Sequence, residues 1–243
     1  MAYPAYVDNG GIVADNNELF LDVPFPASVD ANDILVTVME IDDDDVFIFP
    51  GGWYLGGATR HASLSVSWYW TRAAGTESGT ERWQVGVDNG KTLAGLMLRF
   101  SGCVTAGNPY GANTSAGVTQ SATGTISDIT TLGADSLCVC LVGIEDNAGT
   151  SDDASNYSEI VDLTTAVGDD MGISVFSYQK AAAGAVGADS FTIGGTDYWG
   201  TFTLALRDSV PSGYANDVIG VGTASIGKVN TVATADISKV IGV

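Results

Sequence analysis

The most constraining feature of this sequence is an alternation of apolar and polar residues with a period of two. It is interrupted every dozen residues or so by glycine, asparagine, aspartate or proline. Successive side chains of a β-strand point to opposite faces, so this alternation predicts strands with one buried face. The clearest examples are residues 64–71 and 202–207, where a large apolar residue takes every second position. Few helical stripes compete, and we predict a chain built from β-strands.

Three other segments are apolar on both faces, namely residues 34–41, 46–49 and 137–144. In a β protein this pattern predicts strands that are covered from both sides, which requires two packed sheets. Glycine pairs at 51–52, 56–57 and 194–195 are typical of turns, because glycine adopts positive φ without a steric penalty. The predicted fold class is all-β, an antiparallel β-sandwich of about eight to ten strands of jelly-roll or Greek-key type.

The charge of the chain limits its partners. Lys and Arg together number 9 and Asp and Glu 29, which gives a formal net charge of −20. Such a chain is repelled by phosphate, so we expect neither nucleic acid nor an anionic membrane as a partner. No secretory signal is visible at the N-terminus, and no apolar run reaches the roughly 18 residues of a membrane span. Cys103, Cys138 and Cys140 lack zinc-like spacing and are predicted to be buried free thiols.

Catalytic motifs are missing from the sequence. His61 is the single histidine, so a zinc site with two or more histidines is excluded. The sequence contains neither a G-x-S-x-G nucleophile elbow nor a G-x-x-x-x-G-K-[ST] phosphate loop. A glycosidase needs only two carboxylates, and with 29 acidic residues such a pair stays open as an alternative. We expect a protein that is not an enzyme and has no cofactor.

Two groups of residues are weaker candidates for ligand contacts. The acidic run Asp42, Asp43, Asp44 and Asp45 could supply oxygen ligands to Ca²⁺, but it matches no calcium loop, and a solvated turn is the favoured interpretation. Trp53 follows two glycines in a predicted loop, and Tyr69 alternates with the apolar face of its strand and is expected to point outward. Exposed aromatic rings at these two positions would suit a sugar ligand.

The C-terminal segment contains an internal repeat with a period of 11 residues. Residues 218–228 (VIGVGTASIGK) align with residues 229–239 (VNTVATADISK), and a third copy begins at residue 240. The many Val, Thr, Asn and Gly residues disfavour a helix, so short extended pieces with turns are predicted. Repeat units become stable by stacking on neighbouring units, and two and a third copies are too few to bury their own apolar faces. The neighbouring units would therefore come from other subunits. A low-complexity end without fixed structure is the alternative.

We therefore predict a β-sandwich body at residues 1–210 and a linker with an assembly arm at residues 211–243. The residues expected to carry assembly are the apolar positions of the repeat, namely Val218, Val221, Ile226, Val229, Val232, Ile237, Val240 and Val243.

Several strings in the chain resemble a β-sandwich domain that is widespread among structural proteins of tailed-bacteriophage virions. They are Ala31-Asn32-Asp33-Ile34-Leu35-Val36, Gly52-Trp53, Ser65-Val66-Ser67-Trp68-Tyr69-Trp70, residues 96–102 (LMLRFSG) and residues 199–206 (WGTFTLAL). The repeat is similar to the V-N-G-V-A-x-A-N-I-x-K-V-N-G-V arrays that close some marine phage structural proteins. Ser101 and Cys103 around Gly102, and Thr231 in the repeat, depart from the usual pattern.

This resemblance implies a non-enzymatic component of a virion: a capsid decoration or cement protein, a head fibre or a tail component. The implied partners are copies of the chain itself, with a trimer favoured, and other virion proteins. The implied location is the virion, after synthesis in the host cytoplasm. An adhesin or carbohydrate-binding module that contacts host-surface glycans is the alternative, and a tail-associated depolymerase is a third possibility.

Overall fold

The structure is a computed structural model that describes residues 3–16, 18–86, 90–151 and 154–208, and the backbone of residues 228–229 and 232–233. Within these residues every regular element is a β-strand, which confirms the predicted all-β class. All strand pairs are antiparallel, and two large sheets pack face to face. The predicted sandwich is therefore confirmed.

One large sheet, here the N sheet, is built from the N-terminal part of the chain. Its lateral order is β1 (Ala5–Asn9), β9 (Thr92–Ser101), β4 (Ile34–Ile41), β7 (Ser65–Arg72) and β6 (Tyr54–Thr59), and β2 (Val13–Asn16) also pairs with β9. A smaller sheet of β3 (Phe20–Pro24), β8 (Thr80–Val85) and β5 (Phe47–Ile48) covers the outer face of the N sheet.

The other large sheet, the C sheet, follows in the chain. Its lateral order is β10 (Tyr110–Ile126), β17 (Asp189–Leu206), β12 (Ser136–Ile144), β15 (Met171–Lys180) and β14 (Ser158–Thr165), and β13 (Thr150–Ser151) also pairs with β17. Its outer face is covered by the pair β11 (Ile129–Thr131) and β16 (Gly184–Val186) and by the first residues of β17. Two further strands, β18 (Lys228–Val229) and β19 (Val232–Ala233), pair with each other.

Three hydrophobic cores separate the four layers. The central core lies between the two large sheets and contains Val36, Trp68 and Leu204 among its fully buried residues. An outer core lies under the three-stranded sheet, and a second lies on the far side of the C sheet. Strands β4 and β12 touch a core on each face, which is why residues 34–41 and 137–144 carry apolar side chains on both faces, as predicted.

Some details of the sequence prediction were wrong. Seventeen strands form the described part of residues 3–208, against the eight to ten expected, because the two large sheets contain twelve and the covering layers add five. Residues 46–49 contain an edge strand of the small sheet and not a doubly covered strand, since Ile48 and Phe49 are exposed. The pairs Gly56–Gly57 and Gly194–Gly195 lie within strands β6 and β17, whereas Gly51–Gly52 forms a turn as predicted.

The two large sheets have the same topology. If β1, β4, β6, β7 and β9 are replaced by β10, β12, β14, β15 and β17, the lateral order of the N sheet becomes that of the C sheet. The first outer strand also pairs with the last in both halves, since β3 pairs with β8 and β11 with β16. The body therefore consists of two halves with one strand plan, a division that the sequence analysis did not predict.

Irregularities of the backbone recur at matching positions in the two halves. Tyr6 opens a bulge in β1 where it pairs with β9, and Tyr110, 104 residues later, opens one in β10 where it pairs with β17. Strand β6 is bulged after Leu55 and β14 after Glu159, each opposite an aromatic residue of the neighbouring strand. A shared bulge re-aims the same stretch of edge strand in both halves.

The halves are related by an approximate two-fold axis that runs along the strands. Strand β6, the last in the order of the N sheet, lies beside β10, the first of the C sheet, and Asn113 Nδ2 donates a hydrogen bond to Gly56 O at 3.0 Å. Strands β4 and β12 run in the same direction. At one end of the sandwich the residues that follow β9 and β17 meet, where Val104 N donates to Arg207 O. At the other end the last residues of β4 and β12 meet, where Ile144 N donates to Glu40 Oε1. The sandwich thus has two distinct ends and two distinct flanks.

Candidate interaction surface

Acidic residues collect at one end of the sandwich, here the acidic end. They occupy the connections that leave β4, leave β12 and enter β15, and they comprise Asp42, Asp43, Asp44, Asp45, Glu145, Asp146, Asp169 and Asp170. Burial raises the pKa of Asp42 to about 7, together with a hydrogen bond that its protonated carboxyl donates to Asp169. Burial also raises the pKa of Glu145, and the carboxylate of Asp197 adds to this shift. Carboxyl groups at this end are therefore close enough to resist ionising together.

The opposite end, here the exit end, is where the chain leaves the body after Arg207. Four of the seven Lys and Arg residues of the body stand at strand ends here: Arg72, Arg99, Lys180 and Arg207. Arg72 Nη1 donates to Val104 O at 2.6 Å, and Val104 N donates to Arg207 O at 2.9 Å. The two ends of the body thus differ in charge, and the C-terminal segment starts from the less acidic one.

Buried Arg99 fixes the loop before β4 at the exit end. Its guanidinium donates to the carboxylate of Asp33, to Asp30 Oδ2 at 2.6 Å, and to Ser28 through both the hydroxyl and the carbonyl oxygen. Arg99 and Asp33 are both almost fully buried, while Asp30 is exposed. Four of the five N–H donors of the guanidinium are bonded within this loop, so Arg99 serves to stabilise it.

The edges of the two flanks differ in charge. Strands β6 and β10, which border one flank, contain no charged residue over their whole length. In the strands that border the other flank, every charged residue is acidic: Asp8 in β1, Asp15 in β2, and Glu159 and Asp162 in β14. We call these the uncharged flank and the acidic flank. In a chain of net charge −20, the uncharged flank is the side on which another copy meets the least repulsion.

An exposed apolar patch lies on the uncharged flank. It consists of Ile48, Phe49, Tyr54 and Leu55, whose exposed fractions lie between 42% and 57%. The turn between Pro50 and Trp53 connects the two pairs, and Thr71 Oγ1 holds this turn by donating to Gly52 O at 2.9 Å. Both pairs adjoin Tyr69, since the ring of Phe49 contacts it at 5.4 Å and Leu55 pairs with it across the strands. Neighbouring apolar residues that face water on an edge strand are typical of interaction sites.

The patch is close to the point where the chain leaves the body. The ring of Tyr54 stacks on Trp70 at 4.7 Å, and Trp70 contacts Tyr110 edge-on at 6.4 Å. Tyr110 pairs with Leu206, and Arg207 N donates to Pro109 O at 2.8 Å. A short series of ring contacts thus connects the patch to the last residues of β17.

The internal repeat of the body provides a comparison for the patch. Tyr54 and Leu55 pair with Trp70 and Tyr69, and the corresponding residues of the second half are Ser158 and Glu159, which pair with Ser177 and Phe176. Since β14 keeps the same bulge with polar residues, the fold does not require exposed apolar side chains at these two positions. No sequence signal distinguished Tyr54 and Leu55, because alternation alone does not identify an edge strand.

The two aromatic residues proposed as ligand contacts are both buried. Tyr69 lies on the opposite face of β7 from Trp68, as expected, but that face is covered by the small sheet and the residue is 1% exposed. Its hydroxyl donates to Phe47 O at 3.1 Å. Trp53 is 5% exposed, packs edge-on against Trp83 at 5.0 Å and donates to Glu81 Oε2. The expectation that Tyr69 and Trp53 face solvent was therefore wrong.

The four aspartates that were weighed as calcium ligands do not converge. Asp43 pairs with Lys91 at 3.5 Å, and Asp43 and Asp45 each accept a hydrogen bond from the backbone of the following residue. In the part of the chain that the structure describes, no group of three or more His, Cys, Asp or Glu side chains is placed to hold a metal ion. Sequence reasoning favoured a solvated turn here; Asp44 is exposed, whereas Asp42, Asp43 and Asp45 are partly buried.

The three cysteines are buried and free, as predicted. Cys138 and Cys140 share the outer face of β12, and Cys103 belongs to the central core. Burial raises the pKa of Cys103 and Cys140 to about 12 and that of Cys138 to about 11. These thiols are protonated near neutral pH and are poor nucleophiles.

The predicted assembly residues of the arm lie outside the described part of the structure, except for the backbone of Val229 and Val232, which belong to β18 and β19. The charges of the arm follow from the sequence alone. Residues 1–210 carry 27 acidic and 7 basic residues, whereas residues 211–243 carry two of each. The arm is therefore neutral, although the body is strongly acidic.

Comparisons with known proteins supply no relative from which a function could be transferred. No model of a known protein family matches the chain, and no curated protein matches it. Among the described residues there is also no helix long and apolar enough to span a bilayer. The function has to be inferred from the chain itself.

Proposed function

We propose that this chain is a non-enzymatic structural protein of a tailed-phage virion, a capsid decoration, cement or head-fibre protein that assembles through its C-terminal arm. Its partners are further copies of itself, with a trimer favoured, and other virion proteins, and its location is the virion. The virion setting comes from the resemblance of the sequence strings and the repeat to phage structural proteins. A tail component is the nearest alternative within the same class.

One observation carries the assembly part of this proposal. The chain leaves the body at its less acidic end, beside an exposed apolar patch, and continues into a neutral arm with Val or Ile at repeated positions. A neutral apolar arm approaches a body of net charge −20 without repulsion, whereas two bodies repel each other over most of their surfaces. The arm is thus the part of the chain best suited to contacts between subunits.

The two ends of the body suggest an orientation on the particle. If the exit end faces the particle, the acidic end points into the medium. Acidic outer surfaces keep particles apart and soluble, because like charges repel at distances up to the Debye length. The proposed arrangement places the arm where it meets a shell and the eight clustered acids where they meet water.

The alternative of a glycan-binding module receives no support from the two aromatic residues suggested for it. Trp53 and Tyr69 are interior residues of the N-terminal outer core and present no ring face to a sugar. A glycan site would therefore need other residues. The acidic loops also lack the convergent geometry of a calcium-dependent sugar site in the described part of the chain.

Light scattering behind size exclusion tests the assembly part of the proposal. The full chain and a variant ending at residue 210 are compared at equal concentration. We expect the full chain to be a discrete oligomer and the truncated chain to be a monomer with an unchanged circular dichroism spectrum. Equal masses for the two proteins would contradict the role of the arm.

The virion setting needs a separate experiment. An antibody raised against residues 1–210 is applied to purified particles of the phage that encodes the chain and is detected with gold in the electron microscope. Gold on intact particles supports the proposal. Particles without gold, when the same lysate contains the soluble protein, would overturn it.

A further inference from the structure

The apolar patch of Ile48, Phe49, Tyr54 and Leu55 holds four of the nine large apolar residues that are exposed in the described part of the chain. The matching positions of the second half show that Tyr54 and Leu55 are not needed by the strand plan, because Ser158 and Glu159 occupy the same bulged edge. The patch also lies on the flank whose edge strands carry no charge. Its composition therefore indicates a partner that is apolar and uncharged.

We infer that this patch receives the C-terminal arm of a neighbouring copy, whose Val and Ile side chains pack on the exposed rings and Leu55. This inference rests on the proposed function, since it names the surface to which the assembly arm binds. Aliphatic side chains that cover aromatic faces bury apolar area on both sides of the contact, which is the main favourable contribution to association.

Charge and position both favour the arm as the occupant. The arm has two acidic and two basic residues, so it adds no net charge to a flank that has none on its edge strands. The ring contacts from Tyr54 through Trp70 to Tyr110 place the patch near the start of the arm. When the exit ends of several bodies meet, each arm begins beside the patches of its neighbours.

The length of the arm permits this exchange. From Asp208 to the first repeat at Val218 the chain has ten residues, which span at most about 33 Å when extended. This is about the length of the ten-residue strands β9 and β15 at the usual rise per residue. The first repeat of an arm can therefore reach a body that touches its own at the exit end.

A neighbouring copy is favoured over the same chain because of the repeat. Two and a third copies of an 11-residue unit do not bury their own apolar positions, and they become stable by stacking on further units. Arms from several subunits that meet at the exit ends supply those units. A single arm folded back on its own body would leave the later repeats without neighbours.

A charge substitution in the patch tests the inference. In the full chain, Leu55→Lys is compared with Val7→Lys, a control on the edge strand of the acidic flank, where Val7 is exposed to a similar extent. Lysine is chosen because it does not increase the negative charge of the body. We expect the association constant from light scattering to fall at least about tenfold for Leu55→Lys and less than about threefold for Val7→Lys.

Disulfide trapping identifies the occupant. Copies that carry Leu55→Cys are mixed with copies that carry Val221→Cys, Val232→Cys or Val243→Cys, and the mixture is oxidised gently. The native thiols are buried and protonated, so they do not compete. A bond between different chains for at least one of the three arm positions supports the inference. A chain that carries both substitutions is oxidised in parallel, and a bond that forms in that chain but never between the single-cysteine copies would overturn the inference.

The outcomes separate this inference from the proposed function. If the chain truncated at residue 210 assembles like the full chain, the role of the arm fails, and with it both proposals. If the truncated chain is monomeric while Leu55→Lys assembles like the unmodified chain and no disulfide forms between chains, only the patch is wrong. In that case the arm binds elsewhere.

Discussion

The two halves of the body share one strand plan but differ in what they place on it. Their lateral strand order, two of their bulges and the pairing of the first and last outer strands agree. Positive φ also recurs, at Asn32 shortly before β4 and at Asp135 directly before β12. The strand order, bulges and backbone conformations that both halves share are those that the strand plan needs. A side chain that occurs in one half alone is not explained by the strand plan.

The central core shows one difference that the two-fold arrangement itself requires. Glu40 of β4 and Gly143 of β12 occupy matching positions, and they meet between the sheets, where a Cβ on Gly143 would clash with Glu40 Oε1. Matching residues that meet on a two-fold axis compete for the same space. One half supplies a long side chain and the other supplies none.

Buried Arg99 is specific to the N-terminal half, and its replacement gives the largest expected effect. The matching position in β17 is Ala205, which needs no partner. Arg99→Met leaves the carboxylate of Asp33 buried without its cation, and we expect the free energy of unfolding to fall by about 3–5 kcal/mol. Urea unfolding measures this change.

The control for Arg99 is Arg82→Met. Arg82 forms a bidentate pair with Asp22, but both groups are largely exposed. Exposed pairs contribute little, so a far smaller loss than for Arg99→Met is expected. Equal effects of the two substitutions would show that the buried network at the exit end does not stabilise the N-terminal half.

The contact between Glu40 and Gly143 gives the next largest effect. Gly143→Ala forces the buried carboxyl to move, and we expect the free energy of unfolding to decrease by about 1–3 kcal/mol. Gly133→Ala is the matched control, because nothing lies within 4 Å of its added Cβ. A Gly143→Ala variant as stable as Gly133→Ala would show that the halves do not meet as closely as described.

The charge of Glu40 is tested through pH. Burial raises the pKa of Glu40 well above its usual value; Oε1 accepts a hydrogen bond from Ile144 N, and Oε2 has no partner among the described residues. The folded state therefore holds the proton more tightly than the unfolded state. Stability is greatest below the unfolded pKa and falls as pH rises above it, by up to about 1.4 kcal/mol per pH unit.

Glu40→Gln should remove this part of the pH dependence, because an amide keeps the acceptor oxygen and does not ionise. The unfolding free energy of the variant, measured from pH 5 to pH 8, should decline less steeply than that of the unmodified chain. Glu18→Gln, at an exposed position, serves as the control and should leave the slope unchanged. Parallel curves for the Glu40 variant and the unmodified chain would contradict protonation of Glu40.

The acidic end supplies the smallest effect. The pKa of Asp42 is raised to about 7 by burial and by Asp169, with Glu145 adding to the shift and Lys91 opposing it. This raised pKa stabilises the fold at acidic pH, and the stabilisation is lost as pH rises toward 7. Asp169→Asn removes one of the two carboxyls, so the melting temperature should decrease less between pH 5 and pH 8. An unchanged pH profile would show that the two groups do not interact.

Much of the fold followed from the sequence because period-two patterns report directly on strands. Residues 34–41 and 137–144 were correctly predicted as doubly covered, since apolar side chains on both faces of a strand indicate cover from both sides in a β protein. The alternation at residues 64–71 correctly separated Trp68 from Tyr69. It did not reveal that the small sheet covers the second face, because a pattern of one strand carries no information on what packs against it.

The candidate surface was less accessible to prediction. Tyr54 and Leu55 are exposed because β6 is an edge strand, and edge position depends on the order of strands in a sheet. That order arises from pairing between segments far apart in sequence, such as β10 with β17. The repeat of the body was also hidden, because matching positions share burial and backbone shape while their side chains differ, as with Glu40 and Gly143.

The division into halves has a consequence for synthesis of the chain. All strands of the N sheet and its cover lie within residues 5–101, so this half can pair its strands while the ribosome is still producing the rest. The face that carries Val36 and Trp68 then stays uncovered until β17, whose last residue is Leu206, has been synthesised. Until that strand emerges, the nascent chain exposes one side of its future central core, and this is the stage at which a chaperone would be needed most.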